Sequence, residues 1–124
     1  MRKTDLAWAA GFIDGEGCLS FCPNPQLSAS QFNLEPLEEL QLLFGGNITP
    51  PKSNGVSQWY VGAHKAVNVA RLILPYLKAK DNQARLFIEW EELQKLKTSY
   101  WVTPELKEAR IKLSSSMREL NSRR

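Results

Sequence analysis

Trp8-Ala9-Ala10-Gly11-Phe12-Ile13-Asp14-Gly15-Glu16-Gly17 is the stretch from which the fold is read. It is an apolar run rich in Ala and Gly that passes straight into an acidic, glycine-flanked end. Ala9, Ala10 and Gly11 are too small to fill a core by themselves, so another segment must come close to this helix. Gly11 and Gly15 stand one helical turn apart and share a face. Without a Cβ at those positions a second backbone can approach closely. Glu16 falls where the helix ends, between two glycines that free the chain to turn. A carboxylate at a tightly packed helix end is a candidate metal ligand. For an isolated Glu a solvated cap is the commoner explanation, so the rest of the chain has to decide.

Working outward, Thr4 or Asp5 can cap this first helix, which is predicted to end near Asp14. Cys18 to Cys22 alternates in polarity and reads as a strand, broken by Pro23-Asn24-Pro25. Gln26 to Phe32 is a second alternating run, so the pair forms a hairpin. One face offers Ser20, Gln26, Ser28 and Ser30, the other Leu19, Phe21, Leu27 and Ala29. Glu35-Pro36 opens a second helix with Leu37, Leu40, Leu43 and Phe44 in a stripe, closed by Gly45-Gly46-Asn47. Ile48-Thr49 starts a strand cut short by Pro50-Pro51, and Ser57 to Val61 is the returning one. Ala63 to Tyr76 is helical, with Pro75 kinking or closing it. Asp81 to about Lys97 is a fourth helix with Phe87, Ile88, Trp90, Leu93 and Leu96 as its apolar set. Thr103-Pro104-Glu105 starts a last helix: a cap, Pro in the first turn, then an acid. The order α-β-β-α-β-β-α plus C-terminal helices suits an α+β domain with one four-stranded antiparallel sheet backed by helices.

The totals agree with one domain. There are 124 residues, 43% hydrophobic and 23% charged, which is globular and not disordered. No apolar run is long enough for a membrane span, and the N-terminus does not read as a signal peptide. Cys18 and Cys22 have no partner Cys or His nearby and read as reduced thiols of an intracellular protein. The net charge is +3, but it is unevenly placed. Residues 1–62 carry three basic and six acidic side chains, and residues 63–124 carry thirteen and seven. From Thr4 to Pro51 there is no Lys or Arg.

Ala9 to Gly17, AAGFIDGEG, resembles the signature of the LAGLIDADG homing endonucleases, with Glu in place of the second Asp. A second passage, Pro75-Tyr76-Leu77-Lys78-Ala79-Lys80-Asp81-Asn82-Gln83-Ala84, is similar to a run in single-motif members. Glu35-Pro36-Leu37 followed by Phe44-Gly45-Gly46 is a third. The three occur in the family's order and cover roughly residues 6–88. The resemblance implies the αββαββα homing-endonuclease fold, its sheet a DNA-binding saddle, over residues 1–124, with a core at about 4–97 and a C-terminal helix at about 103–121. One motif copy implies half of a two-motif site, hence a homodimer through the motif helix at Ala10, Gly11, Asp14 and Gly15.

The implied activity is site-specific cleavage of double-stranded DNA by an intron-associated, Mg²⁺-dependent hydrolase. Glu16 and the Gly15 carbonyl are the implied metal ligands. Lys80 is the implied basic residue of the active site, holding negative charge on the phosphate or biasing a water, and Gln31 the implied water-orienting amide. Asp14 is assigned a structural role, bonding local backbone. Ser20, Gln26, Ser28, Ser30, Lys52, Gln58 and Tyr60 are the expected DNA-facing residues. This set contains one cation where the family normally has several Arg or Lys. Two alternatives therefore accompany the endonuclease reading. One is a binding protein of the same fold without cleavage, as an RNA-splicing maturase or transcription regulator. The other is a degenerate or engineered copy with weak DNA binding. The expected location is the cytoplasm of a bacterium or phage, or an organelle, with no membrane partner.

Overall fold

The computed structural model describes residues 1–95 and 103–122. The elements run α1 (Lys3–Glu16), β1 (Gly17–Phe21), β2 (Pro25–Gln31), α2 (Leu34–Phe44), β3 (Asn47–Ile48), β4 (Ser57–Gly62), α3 (Ala63–Ile73), a 3₁₀ turn (Leu74–Tyr76), α4 (Asp81–Lys95) and α5 (Pro104–Ser122). The four strands form one antiparallel sheet in the order β1-β2-β4-β3.

Strand phase follows from the period of two. Leu19, Leu27, Ala29, Trp59 and Val61 are buried against the helices. The intervening residues face the other way, and the register sets them in cross-strand rows. Ser20 lies opposite Gln26, Ser28 between Cys18 and Tyr60, and Ser30 opposite Gln58. Only one face of the sheet is covered, which antiparallel pairing permits. The core between sheet and helices is closed by Ile13, Leu37, Leu40, Ile73 and Phe87, all with no exposed surface. Phe21 packs edge-to-face on Phe87, with ring centroids 5.5 Å apart.

α1 is longer than the sequence suggests, running through Glu16 with Arg2 at the N-cap position. Its real stop is Gly17, whose N–H bonds the Ile13 carbonyl. A Cβ on Gly17 would lie 2.8 Å from both Ile13 Cγ2 and Ile13 O, so only glycine fits the step from helix to strand. The expected cap is also shifted: the Asp5 carboxylate accepts the Arg2 N–H at 3.3 Å, and Thr4 is not used. Pro75 closes α3 through the 3₁₀ turn, because a residue without an N–H cannot continue the α ladder. The expected last residues of α4, Leu96 and Lys97, lie outside the described residues. Thr103 Oγ1 accepts the Leu106 N–H at 3.2 Å, the cap expected for α5. Across the helical layer, Glu91 of α4 accepts two bonds from the Arg71 guanidinium of α3, at 3.2 and 2.8 Å. These bonds hold the Glu91 carboxyl below the ordinary carboxylate range, against the opposing pull of burial.

The α2–β3 connection is the tightest point of the sheet side. Trp59 is fully buried and donates its indole N–H to the Gly45 carbonyl at 2.9 Å. Gly46 lies over it with φ +93°, and a Cβ there would meet Val61 Cγ1 at 2.6 Å and Tyr60 O at 2.8 Å. Gly46→Ala is therefore expected to cost about 2–3 kcal/mol in urea melts, from a strained φ and a backbone clash. Gly11→Ala serves as its control. It meets nothing within 4 Å in the chain, and it is expected to gain roughly 0.5–1 kcal/mol of helix stability in melts run at concentrations where the chain is monomeric.

Candidate functional site

The C-terminal end of α1 carries orphan carbonyls, as every helix end does, and no cation of its own in the last turn. The chain supplies one from 66 residues away. Lys80 is only 5% exposed, and its Nζ donates to the Asp14 carbonyl at 2.6 Å. An ammonium at a helix C-terminus is favoured by both the hydrogen bond and the helix dipole. The Asp14 side chain completes the exchange. Its carboxylate accepts the backbone N–H groups of Lys78 (2.8 Å), Ala79 (3.1 Å) and Lys80 (3.0 Å). Three successive amides turned toward one anion form a nest. The sequence assigns Asp14 a bond to local backbone; the backbone it bonds is the distant 78–80 loop.

Asp14, Gly15, Ala79, Lys80, Asn82 and Gln83 line one cavity of ≈ 540 Å³, with Leu120 of α5 on its rim. The structure therefore brings Gly15 and Lys80 together. Glu16 follows as the last residue of α1 and is exposed. Gln31 ends β2. Gly17, the residue after Glu16, pairs with Ala29, two residues before Gln31, so Glu16 and Gln31 lie at the same end of the sheet. Gln31 pairs with Ser57 and keeps the phase of buried Ala29, so it starts from the helix side of the sheet, not from the row of Ser28 and Ser30. Ser57, which the sequence reading passed over, is 1% exposed, and its Oγ has no hydrogen-bond partner among the described residues. No feature of the sequence around Ser57 marks it, because its significance is its position across from Gln31.

Ser20, Gln26, Ser28, Gln58 and Tyr60 are half-buried and Ser30 is exposed, all on the open face. Lys52 stands in the β3–β4 turn closed by the Gly55 N–H to Lys52 carbonyl bond of 2.8 Å. β4 begins opposite Gln31, so this turn lies at the same end of the sheet as Glu16.

The expected interface face of α1 needs correction. Ala10 has no exposed surface, as Ala9 has none, and the Asp14 carboxylate is spent within the chain. The small side chains at 9 and 10 admit the chain's own sheet and α3, not a second molecule. Gly11 and Gly15 do face outward, with nothing within 4 Å of a built Cβ. Stepping back one turn along their stripe reaches Ala7 and Trp8, both exposed, with Trp8 stacked on Phe12 at 5.5 Å. Ala7 and Trp8 were legible from the Gly11–Gly15 spacing alone.

No family sequence model matches the chain, and comparison with curated proteins gives no match. The fold is that of the LAGLIDADG homing endonucleases. Similar solved structures include I-CvuI in complex with DNA, 21% identical, covering 95% of this chain and 82% of that one at a TM-score of 0.80. The archaeal intron-encoded I-Vdi141I complexed with DNA is 19% identical, covering 94% and 84% at 0.76. The LAGLIDADG meganuclease I-AabMI bound to uncleaved DNA is 19% identical, covering 90% of this chain but 44% of that one, at 0.74. The fold thus agrees with the one the motif resemblance implies. No helix among the described residues is long and apolar enough to cross a membrane.

Removing the Asp14 carboxylate strands three amides and releases the 78–80 loop from α1. Asp14→Ala is expected to lower stability by about 2–4 kcal/mol, since hydrogen bonds to a charged acceptor are the stronger kind. Asp14→Asn, which keeps one acceptor oxygen, is expected to lose about half as much. Hydrogen exchange at the amides of residues 78–80 should accelerate in both variants. Unchanged protection there would show that the loop is held by something else.

Proposed function

We propose that the chain is a metal-dependent, site-specific endonuclease of double-stranded DNA that acts as a homodimer, with residues 1–124 as one domain. The observation that carries this reading is the buried Lys80 ammonium, held at the α1 terminus beside Gly15 and one residue short of exposed Glu16. A surface lysine would not be drawn into such a place. The solved neighbours bind DNA, and I-CvuI was solved with Mg or with Ca, which supports a divalent cation here too.

The chain's donor set fits half of such a site. Among the described residues no three His, Cys, Asp or Glu side chains converge. One copy offers the Glu16 carboxylate and the Gly15 carbonyl, and Mg²⁺ commonly takes one or two carboxylates with waters and phosphate oxygens. Two copies related through α1 would bring two Glu16 carboxylates to one place. When bound, the cation supplies charge stabilisation at the attacking and leaving oxygens of the phosphodiester. Lys80 holds positive charge against the phosphate from its fixed seat, and Gln31 with Ser57 offers amide and hydroxyl groups to a water. Ser20, Gln26, Ser28, Ser30, Gln58 and Tyr60 read base edges from the open face as donors and acceptors, and Lys52 meets a phosphate near the centre.

The outward stripe of Ala7, Trp8, Gly11 and Gly15 is the surface on which a second copy would sit. Gly11→Val leaves the fold intact, because its side chain points into open space within one chain. Sedimentation is expected to show wild-type dimer and Gly11→Val monomer at tens of micromolar. A Gly11→Val dimer would place the interface elsewhere.

The cation-poor open face favours a second reading, binding of nucleic acid without cleavage. The two separate at Glu16. Glu16→Gln keeps size and hydrogen bonding but removes the negative charge that a hard cation needs. Dimerisation and DNA binding should persist, while cleavage of a randomised duplex library in Mg²⁺ falls by roughly a thousandfold or more. A Glu16→Gln protein that cuts like the parent overturns the endonuclease site; a parent that binds duplex and never cuts leaves the binding reading.

A further inference from the structure

α5 gathers three cations on one face, while Lys112 lies among the acids on another. Lys107, Arg110 and Arg118 are three and eight residues apart, a spacing that stacks them on one side of the helix, with Ser114 between them. Glu105, Glu108 and Glu119 fall on another side. None of the three cations is ion-paired with an acid among the described residues, and Arg110 Nε is buried without a hydrogen-bond partner. The basic face borders a groove of ≈ 330 Å³ that has Phe21 and Trp90 at its base and Pro23 and Asn24 of the β1–β2 turn beside it.

The position of this groove gives it a meaning. β1 is an edge strand, with Glu16 just before its first residue and the turn just after its last. Five residues of strand span roughly 17 Å, about five base pairs of duplex. α5 lies along this edge. Its C-terminal end is near the centre, where the Asn121 amide donates to the Leu19 carbonyl at 2.9 Å and Leu120 borders the Asp14–Lys80 cavity. Its Lys107–Arg110 end lies at the turn, the outer end of the sheet. The chain thus places cations that pair with no acid among the described residues along a sheet edge whose strands carry none from Thr4 to Pro51.

We infer that this face of α5 binds backbone phosphates of duplex DNA outside the base pairs that the sheet covers, and that it provides the electrostatic affinity the strands lack. The inference rests on the DNA-binding reading above. Phosphate contacts position a protein and set its salt dependence without reading sequence, so the polar open face remains free to discriminate bases.

The test compares salt dependence of binding on two random-sequence duplexes, one of about 30 base pairs and one trimmed to the two sheets' span, about 14 base pairs. The proteins are wild type and the Lys107→Gln/Arg110→Gln/Arg118→Gln variant. On the long duplex the log–log slope is expected to fall by about 2.7 per chain, three contacts at about 0.9 each. On the short duplex wild type and variant should coincide. Should the part-buried Arg110 prove necessary for folding, the exposed pair Lys107→Gln/Arg118→Gln is expected to lower the slope by about 1.8. An unchanged slope on the long duplex, or an equal loss on both lengths, overturns the assignment to α5. Wild-type protein that binds neither duplex at low salt overturns the DNA reading itself, a different outcome from either.

Discussion

The exchange between Asp14 and Lys80 is the constraint on which the rest of the molecule depends. One residue gives its carboxylate to three amides of a loop, and the loop returns an ammonium to that residue's own carbonyl. Both halves act at the C-terminus of α1, where unpaired carbonyls would otherwise face a half-buried cavity. The pairing ties the first helix to the start of α4 and fixes where β1 leaves α1. A carboxylate alone at a helix C-terminus is unfavourable with respect to the dipole. Here Asp14 is offset by a cation and a nest of N–H groups, so the acid is stable where propensity would disfavour it.

This coupling explains which parts of the sequence spoke plainly. Strand phase did, because a sheet covered on one side sorts residues by a period of two whatever the neighbours do. Leu19, Leu27, Trp59 and Val61 point inward, and Ser20, Gln26, Ser28 and Gln58 outward, as alternation requires. The α5 start was equally local, a Thr–Pro–Glu cap whose bond from Leu106 is made within one turn. The αββαββα order followed from such signals added together.

The face of α1 was only half legible, for a physical reason. From Leu6 to Ile13 every side of that helix is apolar or small, so no polar stripe marks the solvent there. Which side is buried depends on where α3 and the 78–80 loop dock, and those contacts are more than fifty residues away. The glycine pair found the outward face, while Ala10 proved to be buried and the Asp14 carboxylate to be bonded to the 78–80 loop. Likewise, resemblance identified Lys80 by position, but nothing in Lys78-Ala79-Lys80 tells which lysine is buried. Lys78 is exposed and Lys80 is not, because only Lys80 reaches the Asp14 carbonyl.

The same separation of roles accounts for the charge pattern. On the proposed reading, cations spread along the open face would attract phosphates of many sequences alike. On that reading, serines and amides on the strands would discriminate by geometry, at a net gain of order 1 kcal/mol per hydrogen bond. Affinity must then come from elsewhere. The placement of thirteen of the sixteen basic residues after Gly62, with a row along α5 that pairs with no acid among the described residues, would separate holding from reading. A surface divided in this way would show weak salt dependence on short DNA and strong salt dependence on long DNA, which a uniformly basic saddle does not.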